Sequence, residues 1–201
     1  NDELYGGDGS DWLFGGGGDD LLSGNTVFSD WDFDRVSYSG DASITASFTS
    51  AGGSVTGATS GTDTLVLIDL VIGTEFADYF TVDSTYDGKY DGWIQFEGGG
   101  GDDVIDGNGN LRIHYDGAFD SVTVDLAGGS AYSTNSGDTA EIGVDDLSAG
   151  GVYSVQASNF NDTLIGSSAN ESFRGMAGND SIDGGSGTDE ADYGNSWNSV
   201  T

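Results

Sequence analysis

The chain has 201 residues and a formal net charge of −31, from 35 acidic side chains against four lysines and arginines. Such a charge repels nucleic acid and anionic membrane surfaces, and no run approaches the roughly 20 apolar residues of a membrane span. The lack of cysteine excludes disulfides and thiolate metal sites, and the single histidine, His114, excludes a zinc site built on paired histidines. Hydrophobic residues at 35% nevertheless argue for a folded core rather than a disordered polyanion.

The chain opens on glycine-rich turns with a nine-residue period. Residues 6–14 match the pattern G-G-x-G-x-D-x-U-x, in which U is a large apolar residue, and residues 15–23 repeat it without a gap. This pattern is typical of a parallel β-helix whose glycine turns bind calcium. The first block therefore predicts short strands separated by turns, with Asp2, Asp11 and Asp20 as calcium ligands.

The middle of the chain alternates between turns and β-branched stretches, and no amphipathic helix is expected. Alternating patterns predict strands over residues 43–49, 64–72 and 121–126. Another complete copy of the nonapeptide stands at residues 98–106. The candidate ligands in this region are Asp63, Asp78 and Asp103.

The last third of the chain carries four successive turns in register over residues 157–192. The acidic residues at the aspartate position of these turns are Asp162, Glu171, Asp180 and Asp189. Ala169 and Met176 replace glycines of the pattern. Glutamate is one methylene longer than aspartate, so Glu171 fits the spacing less well.

The spacing of these residues explains why calcium is the expected ion. Glycines permit tight turns whose carbonyl oxygens face a shared ion, and the aspartate adds a carboxylate. Six to eight such oxygens suit calcium better than the stricter octahedron of magnesium. Because each turn reverses the chain, carboxylates 18 residues apart are expected to stack on one edge: Asp2 with Asp20, Asp162 with Asp180, and Glu171 with Asp189.

These blocks resemble the RTX, or haemolysin-type calcium-binding, repeats of secreted bacterial proteins. The resemblance implies an all-β fold, a parallel β-roll or β-helix solenoid, that folds on calcium outside the cell after type I secretion. It also implies that the aspartates of the turns are the ligands. We expect one elongated solenoid over residues 1–201, with nonapeptide blocks at 1–23, 98–106 and 157–192 and divergent repeats between them. We further expect it to be part of a longer secreted protein whose neighbouring domains are its partners.

A longer repeat of 77 residues bears on whether the chain is an enzyme. Residues 35–38 (RVSY) recur as residues 112–115 (RIHY). A polysaccharide lyase or epimerase could use a trio such as Arg112, His114 and Tyr115. Because the arginine and tyrosine recur without the histidine, a stacking or ion-pair role is favoured, and no catalytic residue is expected.

Two interpretations of the outward aromatic residues stay open. Trp12 and Phe14 either pack against the insertion that holds Phe28, Trp31 and Phe33, or they bind a sugar. The main expectation is a calcium-binding structural module, and the alternative is a carbohydrate-binding or adhesive module attached to a polysaccharide-modifying enzyme or an adhesin. Carboxylates outside the glycine turns are expected to remain solvated: Asp41, Asp145 and Asp146.

Overall fold

A computed structural model describes residues 1–24, 32–86 and 93–193. These residues form 20 strands, and no helix long and apolar enough to cross a membrane occurs among them. In chain order the strands are β1 (Glu3–Tyr5), β2 (Trp12–Leu13), β3 (Leu21–Ser23), β4 (Arg35–Ser37), β5 (Ile44–Thr49), β6 (Gly52–Gly57), β7 (Gly61–Val66), β8 (Leu70–Ile72), β9 (Tyr79–Val82), β10 (Ile94–Glu97), β11 (Val104–Asp106), β12 (Leu111–His114), β13 (Val122–Asp125), β14 (Ser130–Ser133), β15 (Val144–Asp146), β16 (Val152–Gln156), β17 (Thr163–Ile165), β18 (Ser172–Arg174), β19 (Ser181–Asp183) and β20 (Glu190–Ala191).

The strands belong to two sheets, between which the chain alternates. The small sheet has eight strands in the order β2-β4-β8-β10-β12-β16-β18-β20, and all its neighbours are parallel. The large sheet has twelve strands in the order β1-β3-β7-β6-β5-β9-β11-β15-β14-β13-β17-β19. One strand in each sheet makes one coil of the roll. The predicted all-β parallel β-roll is therefore confirmed.

The large sheet contains two antiparallel meanders, β5-β6-β7 and β13-β14-β15. In the first meander, β5 pairs with the later strand β9, while β7 returns to pair with the earlier strand β3. The second meander repeats this path, with β13 beside β17 and β15 beside β11. Each meander belongs to one copy of the long sequence repeat.

The core lies between the two sheets and follows the alternation of each strand. Val36, Ile113 and Phe173 of the small sheet are almost fully buried, and their neighbours in sequence face outward. The prediction of one strand over the apolar residues 64–72 is wrong. This stretch divides into β7 and β8 of different sheets, because the chain turns at Leu67, whose φ is 55°.

Candidate metal-binding turns

The coil geometry places carboxylates in two rows, one on each edge of the roll. The carboxylates of the large-sheet row lie directly before a large-sheet strand or, in two cases, inside one. The members of this row are Asp2, Asp20, Asp63, Asp78, Asp103, Asp145, Asp162 and Asp180. The small-sheet row lies at the turns that enter the small sheet; its members are Asp11, Asp34, Asp69, Glu171 and Asp189. All ten predicted ligands belong to one of these rows.

Hydrogen bonds join successive carboxylates within a row. The backbone N–H of Asp20 donates to Asp63 Oδ1 at 2.9 Å, and that of Asp78 donates to Asp103 Oδ1 at 2.9 Å. The three pairs predicted from the 18-residue spacing are confirmed as neighbours, with N–H to carboxylate distances of 2.5 Å for Asp2–Asp20, 3.0 Å for Asp162–Asp180 and 3.0 Å for Glu171–Asp189. One oxygen of each acceptor carboxylate is therefore used to hold the next coil in register.

Within the part of the chain that the structure describes, the second oxygen of five carboxylates is buried without any hydrogen-bond partner. These atoms are Asp11 Oδ2, Asp20 Oδ2, Asp103 Oδ2, Asp162 Oδ2 and Glu171 Oε2. All five residues were predicted as ligands from the repeat pattern. A buried polar atom without a partner is costly, and a charged one more so. A cation beside each orphaned oxygen would remove that cost.

Glycine at the first position of the turn keeps space beside the orphaned oxygen. A Cβ built on Gly6 would lie 2.6 Å from Asp11 Oδ2, and one on Gly15 would lie 2.8 Å from Asp20 Oδ2. A Cβ on Gly98 would overlap Asp103 Oδ2 outright. The turn therefore brings bare backbone, with its carbonyl oxygens, next to the carboxylate.

The donor set fits calcium and not a metal held by side chains alone. Across residues 1–24, 32–86 and 93–193, no group of three or more histidine, cysteine or acidic side chains gathers round one point. The carboxylates instead approach each other in pairs along a row, so turn carbonyls would supply the remaining ligands. Calcium accepts such mixed oxygen shells of variable geometry.

The comparison with known families gives the same assignment. The model of the RTX calcium-binding nonapeptide repeat (4 copies) matches residues 1–26, 95–110 and 156–194. The chain carries RTX calcium-binding repeats. No curated protein matches it. The three matched ranges contain Asp11, Asp20, Asp103, Asp162 and Glu171, which are the five residues with orphaned oxygens.

Burial shifts the acidity of several carboxylates of the large-sheet row. Burial, reinforced by the nearby Asp145, raises the pKa of Asp103 to about 9, and burial raises the pKa of Asp162 to about 6. Burial also raises the pKa of Asp63, Asp78 and Asp180. Without an ion, these groups therefore hold protons more tightly than carboxylates in water.

At two positions of the large-sheet row, a tyrosine hydroxyl donates a hydrogen bond to the second carboxylate oxygen. Tyr38 donates to Asp63 Oδ2 at 2.9 Å, and Tyr115 donates to Asp145 Oδ2 at 2.8 Å. Both tyrosines are buried and occupy equivalent places in the long repeat, where a meander interrupts the row. Both oxygens of Asp63 thus have hydrogen-bond partners, unlike those of Asp20 and Asp103.

The remaining predicted ligands differ in their surroundings. Asp78 is buried with both oxygens hydrogen-bonded, to Ile44 N at 2.7 Å and to Thr74 N at 2.7 Å. Asp2 and Asp189 are exposed, because they lie in the first and last described coils, and Asp180 is half-buried. Their role as calcium ligands stays a prediction.

Three members of the rows could not be predicted from the nonapeptide pattern: Asp34, Asp69 and Asp145. All three are buried, and Asp34 accepts from Asp11 N at 2.9 Å. The signal that could have found Asp34 and Asp69 is the half-pattern D-x-U, as in Asp34-Arg35-Val36, without any glycine before it. Asp145 lies inside β15, where only the meander brings it beside Asp103.

The expectation that carboxylates outside the glycine turns remain solvated is wrong for two of three residues. Asp41 is buried and accepts hydrogen bonds from the backbone N–H of Ala42 at 2.7 Å and of Ser60 at 2.9 Å. It anchors the β6–β7 turn to the roll. Asp145 is buried in the large-sheet row, whereas Asp146 is exposed.

The trio of Arg112, His114 and Tyr115 does not form one site. Arg112 and His114 alternate with the core residue Ile113 and therefore face the outside of the small sheet. Tyr115 turns inward to Asp145. The tyrosine belongs to the carboxylate row, and the other two residues belong to a separate surface.

Proposed function

We propose that the chain is a calcium-dependent structural module of a secreted bacterial protein, without catalytic activity of its own. It folds when it meets external calcium after type I export, and it then spaces or displays neighbouring domains. The observation that carries this proposal is the set of five buried carboxylate oxygens without a hydrogen-bond partner, all within matches to the calcium-binding repeat.

The net charge supplies the physical reason for a folding switch. Two carboxylates about 4 Å apart repel each other by roughly 4 kcal/mol at the effective dielectric of a protein surface. The rows bring such groups together coil after coil, so the folded state is disfavoured until ions compensate the charge. Dissociation constants of about 10⁻⁴ to 10⁻³ M, as in extracellular calcium modules, would keep the chain unfolded inside the cell and folded outside it.

A calcium titration followed by circular dichroism tests the switch. We expect β-structure to appear with added calcium and to disappear when EGTA removes it. Asp11→Asn should shift the midpoint to higher calcium, because it removes the charge of an orphaned oxygen. Asp8→Asn is the matched control, since Asp8 lies in the same turn and its side chain is exposed.

Two results would contradict the proposal. The first is β-structure that persists unchanged in EGTA, which would leave calcium without a role in folding. The second is an equal shift of the midpoint in Asp11→Asn and Asp8→Asn, which would assign the effect to overall charge and not to the turn site.

A further inference from the structure

The arginines of the described residues share one surface. Of the four lysines and arginines, Arg35, Arg112 and Arg174 lie in the described residues, on β4, β12 and β18 of the small sheet. Their sequence neighbours Val36, Ile113 and Phe173 point into the core, so all three arginines face the outer side of that sheet. His114 lies on the same face.

Two of these cations form no direct ion pair within the described ranges. Arg174 forms an ion pair with Asp192, and His114 lies 3.1 Å from Asp116. By contrast, no carboxylate of the described residues lies within 4.0 Å of Arg35 or Arg112. In a chain with 35 acidic residues, these two guanidinium groups feel acidic groups only at longer range, Glu97 for Arg35 and Asp192 for Arg112, and can still pair with an anion from outside.

Both of these arginines lie against a tryptophan ring. The guanidinium carbon of Arg35 is 5.4 Å from the centre of the Trp12 ring, and that of Arg112 is 4.9 Å from the Trp93 ring. Arg112 also donates from Nε to Ser154 Oγ at 3.0 Å. Stacking fixes the plane of the guanidinium and leaves its remaining N–H groups to a planar acceptor such as a carboxylate.

The strand register puts the two arginines on one line across the sheet. Trp12, Arg35, Leu70, Gln95 and Arg112 occupy successive strands in direct register. Arg35 and Arg112 are three strands apart, which corresponds to about 14 Å at the usual strand spacing. One strand interval is close to the length of one pyranose unit, so the two arginines would meet carboxylates about three units apart along a chain.

The end of this line carries an apolar platform made of two stacked aromatic rings. The rings of Trp12 and Phe14 are 5.6 Å apart with an interplanar angle of 17°, and both residues are more than half exposed. Of the packing partners predicted from the sequence, Phe28 and Trp31 lie outside the described residues, whereas the Phe33 ring lies 5.3 Å from the guanidinium carbon of Arg35. Exposed aromatic faces of this kind pack against the C–H faces of sugar rings.

We propose that the outer face of the small sheet binds an acidic polysaccharide, which runs across the strands with its carboxylates on Arg35 and Arg112. One sugar ring packs on Trp12 and Phe14. Between the arginines, the half-buried Gln95 has its Oε1 hydrogen-bonded to His114 Nε2, and its amide N–H groups face the sugar hydroxyls. The carboxylates of this ligand would pair with the arginines, and its sugar ring would pack on the aromatic platform. A denser polyanion such as DNA would meet the repulsion of the whole chain.

Binding of hexagalacturonate to the calcium-loaded full chain tests this assignment. Free calcium is held constant, and affinity is measured by calorimetry. We expect Arg35→Gln and Arg112→Gln each to weaken binding about tenfold, the usual effect of losing a charge-assisted hydrogen bond. The control is Tyr132→Ala, which removes an exposed aromatic residue from the large sheet and should leave affinity unchanged. Circular dichroism confirms that each variant remains folded.

Further ligands distinguish binding at these arginines from bridging by calcium and from general attraction to polyanions. Cellohexaose, which lacks carboxylates, should bind at least tenfold more weakly than hexagalacturonate. Affinity that is equal in the wild type, Arg35→Gln and Arg112→Gln would overturn the proposal, because it would indicate bridging by calcium on the acidic surface. Tighter binding to a DNA oligonucleotide or to anionic lipid vesicles than to hexagalacturonate would also overturn it.

Discussion

The hydroxyl of Tyr115 donates a hydrogen bond of 2.8 Å to Asp145, and Tyr38 makes the equivalent bond of 2.9 Å to Asp63. Each bond satisfies the carboxylate oxygen whose counterpart is orphaned in Asp20 and Asp103. Tyr38 and Tyr115 each lie beside one of the two meanders. The meander coils thus use a neutral donor where the nonapeptide coils would use an ion.

Removal of one tyrosine hydroxyl should destabilise the calcium-loaded chain. In Tyr115→Phe, the buried Asp145 oxygen loses the hydroxyl donor, which costs about 1–3 kcal/mol. Urea unfolding at saturating calcium measures the change, with the exposed Tyr132→Phe as control. Unchanged stability together with one additional bound ion would mean that calcium can take the place of the hydroxyl.

The number of bound ions should depend on which carboxylate of the large-sheet row is neutralised. Asp103→Asn should reduce the number of calcium ions per chain, because the orphaned oxygen loses its charge. Asp63→Asn should leave that number unchanged, since Tyr38 already satisfies its second oxygen. Equilibrium dialysis with elemental analysis gives the stoichiometry of both variants. Equal losses in the two variants would contradict the distinction between tyrosine-bonded and orphaned positions.

The calcium-free chain should become more stable as the pH falls from 8 to 5. Burial raises the pKa of Asp103 to about 9 and that of Asp145 to about 7, whereas an unfolded aspartate titrates near 3.9. The folded state therefore binds more protons than the unfolded state across this window, and stability is lost as the pH rises. Carboxylates with a lowered pKa contribute little to this pH dependence. The hydrogen bond from Thr139, for example, lowers the pKa of Asp120, so this group is ionised in both the folded and the unfolded state across this pH range.

Calcium should show the opposite pH dependence, because protons compete with the ion for the same oxygens. We expect the β-structure of the chain in EGTA, absent at pH 8, to return in part on acidification, and the calcium affinity to fall between pH 8 and pH 6. Circular dichroism in EGTA and calorimetric titration at each pH measure the two trends. A calcium affinity that rises on acidification would be inconsistent with protons competing for the buried carboxylates.

Met176→Gly should stabilise the fold. Met176 replaces the second glycine of its turn and has a φ of 64°, a conformation that costs a side chain roughly 1–2 kcal/mol. Glycine removes the strain but loses more backbone entropy on folding, so we expect a gain of about 1 kcal/mol at most. Ala169→Gly is the control, because Ala169 does not have a positive φ and glycine there should only destabilise. Thermal unfolding at saturating calcium compares the two.

Much of the fold and of the site could be predicted from the nonapeptide alone. Its period fixes which residue enters the core and which carboxylates stack, as Asp162 and Asp180 illustrate. The meanders could not be predicted, because their strands have ordinary alternation and only tertiary pairing decides that β7 turns back to β3. For the same reason the sequence does not reveal that Asp145 is buried: its burial depends on β11 lying beside β15.

The meanders also determine how the roll would respond to a pulling force. A plain coil contacts only its neighbours and can peel away alone. The first meander, however, hydrogen-bonds to β3 on one side and to β9 on the other, while its own strands run antiparallel. Peeling from either terminus must shear the whole three-stranded unit before the next coil is released. The two meanders thus divide the chain into segments, and we expect these segments to unfold one after another under force.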